Sequence, residues 1–349
     1  MAAYKARLSE DLDRWIAQGL VAPDSRQPIL DSVADARRID AGVALAVMGA
    51  ILAGLAAIAF VAANWDAIPR LARFALILSL FVGVCAGAGW AALKTRPLTR
   101  DVLLGVAALI YAAAIGLTGQ IFDLAGDPQA ALRGAGLAAA LLALAGRANA
   151  AAIAALALIA LGDLAGPAGL FGLDLRWLAV AAPVGVGLAL AWRSRSLAHL
   201  AGPALVVGWL FSTLDILPVG YLALAAAFAL AAGASRWANE RAVRPAGIIY
   251  AWMVVGALVA FAAAGLSSET VGVGHRLAWL VVSGAVIALG LHDRTGAVTA
   301  AGVLSIIAAV SAILMDLGLG LMTAAGVFAG CAVLALVTGA LLRRRRVGP

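Results

Sequence analysis

The sequence predicts an all-α fold, a polytopic transmembrane helical bundle of about 12 spans that follows a short N-terminal cytosolic helical hairpin. Of the 349 residues, 64% are hydrophobic and only 12% are charged, whereas soluble domains are about half apolar and a quarter charged. The apolar residues form blocks of about 13 to 24 residues, separated by short polar breaks. A block of roughly 18 or more apolar residues is typical of a membrane-spanning helix, the structure that pairs every backbone amide inside lipid.

The first 40 residues differ in composition from the rest of the chain, because they carry 6 Lys/Arg and 7 Asp/Glu. Leu8 and Leu12 begin an apolar pattern at helical spacing, Gly19 interrupts it, and Pro23 predicts the start of a second helix. About 40 residues rarely hold a core alone. We therefore expect this amphipathic hairpin to dock on the membrane domain, the bilayer surface or a protein partner.

The transmembrane domain is predicted to extend over residues 41–342, with a basic cytosolic tail at 343–349. Its predicted spans, with boundaries uncertain by a few residues, are 41–63, 74–93, 102–122, 130–146, 148–162, 177–192, 197–214, 218–235, 246–265, 277–291, 296–314 and 318–342.

The pair 130–146 and 148–162 could also form one long helix with Arg147 at its centre, and the distribution of charge favours two spans. With twelve spans, 20 Lys/Arg lie on the side of both termini and 5 lie on the other side. Merging the pair changes this division to 11 against 13 and leaves Arg147 in the membrane, where an arginine costs about 3 kcal/mol on insertion scales. The excess of positive charge inside predicts that both termini are cytoplasmic.

Two polar segments, residues 64–70 and 116–128, interrupt the Ala/Leu-rich background. Because the first and third spans run in the same direction, both segments are expected on the extracytoplasmic face. Together they predict a small outer polar pocket. An alternative is purely structural, in which an interfacial Trp anchors one helix and Asp–Arg pairs hold the loops. The candidate residues are Asn64, Trp65, Asp66, Arg70, Gln120, Asp123 and Asp127.

These segments carry a resemblance to a known family. Gly19-Leu20 in the hairpin, Asn64-Trp65-Asp66 followed by Ile68-Pro69, and Gly119-Gln120-Ile121-Phe122 leading to Gly126-Asp127-Pro128 resemble the predicted bacterial membrane proteins termed domain of unknown function 2157. The resemblance covers about residues 8–150, and the remaining spans resemble no family. It implies a multi-pass protein of the bacterial cytoplasmic (inner) membrane, and it implies no reaction or substrate.

The net charge of +7 does not predict a nucleic-acid partner, because the basic residues lie at the ends of apolar blocks. Four consecutive arginines, Arg343, Arg344, Arg345 and Arg346, follow the last span. They are typical of an orientation signal, and they could also contact anionic lipid headgroups.

The sequence contains no nucleophile elbow, phosphate-binding loop, zinc motif or paired catalytic carboxylates. We therefore expect no enzymatic activity, no bound metal and no cofactor. Two functions remain open. The architecture resembles that of a transporter or permease for a small solute, although the spans have few ionisable residues. The alternative is a membrane scaffold or sensor, in which the hairpin binds a partner and the outer site binds a ligand.

Overall fold

The computed structural model describes residues 2–32, 67–123, 125–166, 175–212, 218–243, 245–266, 273–317 and 326. All regular elements in these residues are helical. The predicted first span, the last span apart from residue 326, and the basic tail lie outside the described residues. The chain divides into two units, Met1–Pro69 and Arg70–Pro349.

The described part of the first unit is a pair of helices joined by a short turn. Helix α1 covers Ala2–Ala17 and α2 covers Arg26–Ser32, with a single 3₁₀ turn at Pro23–Ser25 between them. Gly19 follows α1 with a φ of 71°, the left-handed conformation that commonly ends a helix. Leu12 and Leu30 are buried.

A polar contact links the two helices of the first unit. The Arg26 guanidinium donates to Asp13 Oδ1 at 2.7 Å and to Ser9 Oγ at 2.8 Å. The hydrogen bond from Arg26 lowers the pKa of the Asp13 carboxyl below its ordinary value. The hairpin therefore combines a very small apolar contact with one well-formed ion pair.

Ten helices form the described part of the second unit, and they fall at the predicted spans from 74–93 to 296–314. They are α3 (Arg70–Leu93), α4 (Pro97–Phe122), α5 (Pro128–Gly146), α6 (Asn149–Leu164), α7 (Arg176–Ala191), α8 (Arg195–Ser212), α9 (Pro218–Glu240), α10 (Ala246–Leu266), α11 (Val273–His292) and α12 (Gly296–Asp316).

Seven of these helices, α3, α4, α5, α9, α10, α11 and α12, are long and apolar enough to cross a membrane, while α6 and α7 are apolar but shorter. The chain is therefore an all-helical protein with several candidate membrane spans. The total of twelve spans, which depends on residues that are not described, stays a prediction.

Consecutive helices pair as antiparallel hairpins: α3 with α4, α5 with α6, α7 with α8, α9 with α10 and α11 with α12. Each hairpin closes through a short turn with one residue at positive φ, and these residues are about 50 positions apart. They are Thr95, Arg147, Arg193, Ala242 and Arg294. We call the end of the helices with these five turns the turn face and the opposite end the loop face.

The turn after α7 shows the two hydrogen bonds that also close the turns at Thr95, Ala242 and Arg294, and the turn at Arg147 has the first of them. Ser194 N–H donates to Ala189 O at 2.9 Å, and Arg193 N–H donates to Leu190 O at 3.2 Å. This is the Schellman arrangement, which usually places glycine at the left-handed position. The same geometry at Arg147 separates α5 from α6, so this arginine lies in a turn and not inside a helix.

The second helix of each hairpin contacts the next hairpin: α4 contacts α5 and α6, α6 contacts α7 and α8, α8 contacts α10, and α10 contacts α11 and α12. The largest core cluster lies where α6, α8 and α10 meet and includes Leu197, Ile249 and Met253. Small residues allow close approach there. A Cβ on Gly202 of α8, for example, would lie 2.6 Å from the ring of Trp252 in α10. Grooves lie between neighbouring hairpins.

Candidate functional site

The second polar segment of the sequence lines a cavity at the loop face, between the end of α4 and the start of α5. The cavity has a volume of about 450 Å³, and its lining includes Gly116, Gln120, Asp123, Gly126 and Asp127. Helix α4 ends at Phe122, so the two aspartates reach the cavity from the connection between the helices. The site is open and polar at one end.

Two of these carboxylates have local structural partners. Asp123 adopts a left-handed conformation at the end of α4, and its Oδ2 accepts from Arg70 Nη2 at 3.0 Å, with both side chains exposed. Asp127 caps α5, because its Oδ1 accepts from Gln129 N–H at 2.9 Å. Gln120 is exposed. The two aspartates thus make helix-end contacts, and Gln120 lines the cavity beside them.

Of the first polar segment, Arg70 contacts Asp123. Asn64, Trp65 and Asp66 lie outside the described residues, as does the first span. The expectation that Gln120 contacts the outer end of that span therefore stays a prediction.

A buried ion pair at the loop face joins three helices. Arg133 of α5 donates through Nε to Asp163 Oδ1 at 2.9 Å, and the Asp163 side chain at the end of α6 is 0% exposed. Asp163 Oδ2 also accepts from Leu178 N–H at 2.9 Å, at the start of α7. The Arg133 guanidinium lies 5.7 Å from the ring centroid of Trp177. One carboxylate therefore connects α5, α6 and α7.

A similar pair lies in the last described hairpin, where Arg276 near the start of α11 donates through Nε to Asp316 Oδ2 at 2.8 Å. Together with Arg70–Asp123 and Arg133–Asp163, it shows one pattern in three hairpins. An arginine near the start of the first helix pairs with an aspartate at the end of the second. Asp–Arg pairs that hold the loops were the structural alternative expected from the sequence, but these particular partners were not predicted, because they are 30 to 53 residues apart.

A second polar cluster lies at the turn face and was not predicted from the sequence. Arg236 at the end of α9 donates through Nε to Asp293 Oδ2 at 2.7 Å and through Nη2 to Oδ1 at 2.8 Å. The hydroxyl of Tyr250 in α10 donates to the same Oδ2 at 2.9 Å. The hydrogen bond from Arg236 lowers the pKa of the Asp293 carboxyl, although partial burial opposes the shift. The sequence signal that could have indicated this cluster is the acidic residue Asp293 in a connection that also contains Arg294.

A small hydroxyl network is buried between α11 and α12. Trp279 Nε1 donates to Ser305 Oγ at 2.9 Å, and the hydroxyls of Ser283 and Ser305 lie 2.8 Å apart. All three residues are buried. Their polar atoms are satisfied by one another, as buried polar groups require.

The grooves between hairpins have mainly apolar walls. One groove, of about 520 Å³, lies between α9, α10 and α11, and a smaller one of about 240 Å³ lies between α5, α6 and α7. A third groove, of about 360 Å³, is lined mainly by residues of α10 and α12. The ion pairs of the described residues thus lie at the two faces, while the grooves between hairpins are mainly hydrophobic.

Within the described part of the chain, no three His, Cys, Asp or Glu side chains are grouped so that they could hold a metal ion. Arg343, Arg344, Arg345 and Arg346, the candidate contacts for anionic lipid, lie outside the described residues.

The apolar helices and the charge pairs at their ends define the class of the protein: it is a helical multi-pass membrane protein. Residues 13–152 match the model of the family described as predicted membrane protein, DUF2157. The resemblance carried by the two polar segments is therefore confirmed over this part of the chain. No curated protein and no solved structure matches the sequence.

Proposed function

We propose that this protein is a non-enzymatic scaffold or sensor of the bacterial cytoplasmic membrane. In this proposal the N-terminal hairpin binds a protein partner in the cytosol. The cavity at the loop face binds a small polar ligand or another envelope protein. The supporting observation is the location of polar side chains, which line the cavity around Gln120 at one face while the grooves between the described helices have apolar walls.

The proposed orientation follows from charge. The five turns carry basic residues in or beside them, including Lys94, Arg147, Arg193, Arg241 and Arg294. Lysine and arginine are enriched in cytoplasmic loops. The turn face is therefore assigned to the cytoplasm and the loop face to the extracytoplasmic side.

The arrangement of charge favours this function over transport of a polar solute. Asp163 and Arg276 are buried, but each is paired near the loop face. Carriers of ions or protons generally place such groups along the path of the solute. In the described helices the ion pairs instead join the ends of helices in hairpins. This arrangement is more typical of a rigid scaffold than of an alternating-access transporter.

A permease for an apolar or amphiphilic solute is the second candidate function. It is favoured by the groove of about 520 Å³ between α9, α10 and α11. Small-ligand sites generally have volumes of roughly 300–1,000 Å³. This groove has a charged residue, Arg236, at its turn-face end.

Deletion of residues 1–38 separates the two functions. We expect the shortened protein to insert and to remain folded, because the membrane helices have their own packing. The assay is complementation of a strain in which deletion of the gene for this protein causes a phenotype. If the protein is a scaffold, the shortened variant should fail to complement. Full complementation by a folded, membrane-inserted variant would refute the scaffold proposal and support a permease.

The polar cavity is tested by Gln120→Leu with Leu117→Ala as the matched control on the same helix. If the cavity binds a ligand, Gln120→Leu should abolish complementation and leave the melting temperature of the purified protein unchanged. A fall in melting temperature with function retained would show instead that Gln120 is structural. Leu117→Ala should affect complementation less than Gln120→Leu.

A further inference from the structure

The groove between α9, α10 and α11 has a polar end and an apolar length. Thirteen of its fifteen lining residues are apolar or glycine, from Leu222 of α9 to Leu289 of α11. The two polar lining residues, Arg236 and Tyr250, both belong to the cluster around Asp293 at the turn face. The groove therefore has the polarity of an amphiphile that lies along the helices with its headgroup at the turn face.

The dimensions of the groove suit a hydrocarbon chain. Its lining on α9 runs from Leu222 to Arg236, which is about 21 Å along a helix at 1.5 Å per residue. One leaflet of the bilayer core is about 15 Å thick. The groove is therefore long enough to hold the acyl chain of a lipid in the leaflet at the turn face.

Volume discriminates between an acyl chain and a helix as the occupant. A volume of about 520 Å³ spread over about 21 Å gives a mean cross-section of about 25 Å². A helix with its side chains has a diameter of 10–12 Å, and hence a cross-section of roughly 80–110 Å². A single extended hydrocarbon chain therefore fits within this cross-section, whereas a helix from a second copy would lie along the mouth of the groove without filling it.

The charge at the polar end favours an anionic headgroup. Among the described residues in this region of the turn face, three arginines (Arg236, Arg241 and Arg294) outnumber two acidic residues (Asp293 and Glu240). Arg236 donates to Asp293 through Nε and Nη2, and its Nη2 also lies 3.8 Å from Glu240 Oε1. Its Nη1 carries two further N–H donors, and the Arg241 guanidinium lies over the Trp237 ring. The smaller groove between α5, α6 and α7 has no charged residue in its lining, so a preference for anionic headgroups is expected only at the larger groove.

We propose that the groove between α9, α10 and α11 is a binding site for one anionic phospholipid. Its acyl chain lies along the apolar wall and its phosphate lies beside Arg236. This site is distinct from the outer cavity around Gln120, and it involves none of the residues in the proposed scaffold function. The permease considered as the second candidate function would place its solute in this same groove, so a lipid retained there argues against that function.

Gly233 offers a direct way to block the site. It lines the groove, and a Cβ at this position would meet nothing within 4 Å. Gly233→Phe should therefore fill the groove with little strain on the helices. Gly187→Phe is the matched control, because Gly187 on α7 is exposed and has similar open space but does not line this groove.

The measurement is lipid retention by the full-length protein. The protein is extracted from vesicles of phosphatidylcholine and phosphatidylglycerol in equal amounts and analysed by native mass spectrometry. The wild type and Gly187→Phe should retain one phosphatidylglycerol in preference to phosphatidylcholine. Gly233→Phe should lose this molecule, and Arg241→Gln should reduce the preference by about fivefold, the effect of one basic residue near an anionic surface.

Three outcomes would overturn the proposal. Equal retention of the two lipids by the wild type would exclude recognition of an anionic headgroup. Unchanged retention by a folded Gly233→Phe would place the lipid elsewhere. Conversion of a dimer to a monomer by Gly233→Phe, with lipid retention unchanged, would identify a second copy of the chain as the occupant. If Gly233→Phe does not fold, Ala229→Leu in the same groove wall provides the same comparison.

Discussion

The ion pair between Arg133 and Asp163 should be a major source of stability at the loop face. The Asp163 side chain is fully buried, and it accepts from both Arg133 and the Leu178 backbone N–H. Asp163→Ala removes both acceptors. Removal of one partner from a buried pair costs about 3–5 kcal/mol. Because Arg133 is 19% exposed and water can reach its guanidinium, we expect the lower part of that range.

Asp163→Asn should be less harmful than Asp163→Ala. The amide oxygen can still accept from Leu178 N–H, but the amide NH2 then faces Arg133, which loses both its hydrogen-bond acceptor and the opposite charge. Hydrogen bonds to charged groups contribute about 1.5–3 kcal/mol, and this is the expected decrease in the free energy of unfolding. The measurement is reversible unfolding of the purified protein in mixed micelles by titration with a denaturing detergent, followed by circular dichroism.

Asp123→Asn supplies a control with the same chemistry in a different environment. Its partner Arg70 is 64% exposed and Asp123 itself is 73% exposed, so the pair should contribute less than about 1 kcal/mol. If Asp163→Asn and Asp123→Asn change the free energy of unfolding equally, burial does not determine the strength of these pairs. The assignment of Asp163 as the connection between α5, α6 and α7 would then be refuted.

Three further outcomes are expected. Reporter fusions at positions 147 and 195 should both report the cytoplasm, and opposite locations would contradict the twelve-span topology. Gly302→Leu should lower the melting temperature strongly, because a Cβ there would already lie 2.7 Å from Ile287 Cγ1. Gly274→Leu is the control, because a Cβ at Gly274 meets open space; a similar fall in its melting temperature would show that packing is not the cause. Asp293 has a lowered pKa in the folded protein, so its contribution to stability is present above its ordinary pKa of 3.8 and is lost as the pH falls through the folded value. The difference in melting temperature between wild type and Asp293→Asn should therefore persist at pH 5 and disappear under strongly acidic conditions. Disappearance of this difference already near neutral pH would contradict the assignment.

Several features of the site were visible in the sequence because they are local. Gln120, Asp123 and Asp127 stand out from an Ala/Leu background within eight positions, and the structure brings them to one cavity. The cluster of Arg236, Tyr250 and Asp293 was not visible, because Arg236 and Asp293 are 57 residues apart. No periodic pattern connects such residues until the packing of α9, α10 and α11 is known.

The sequence by itself determined the class of the protein and the approximate positions of ten helices, since hydrophobic length and the charges that flank it are local properties of the chain. Only the tertiary structure decided how those helices end and pair. Thr95, Arg147 and Arg294 adopt left-handed turns, although these residue types rarely favour that conformation. The short connections that result pair the helices as hairpins, and this pairing places arginines beside distant aspartates and opens the grooves between hairpins.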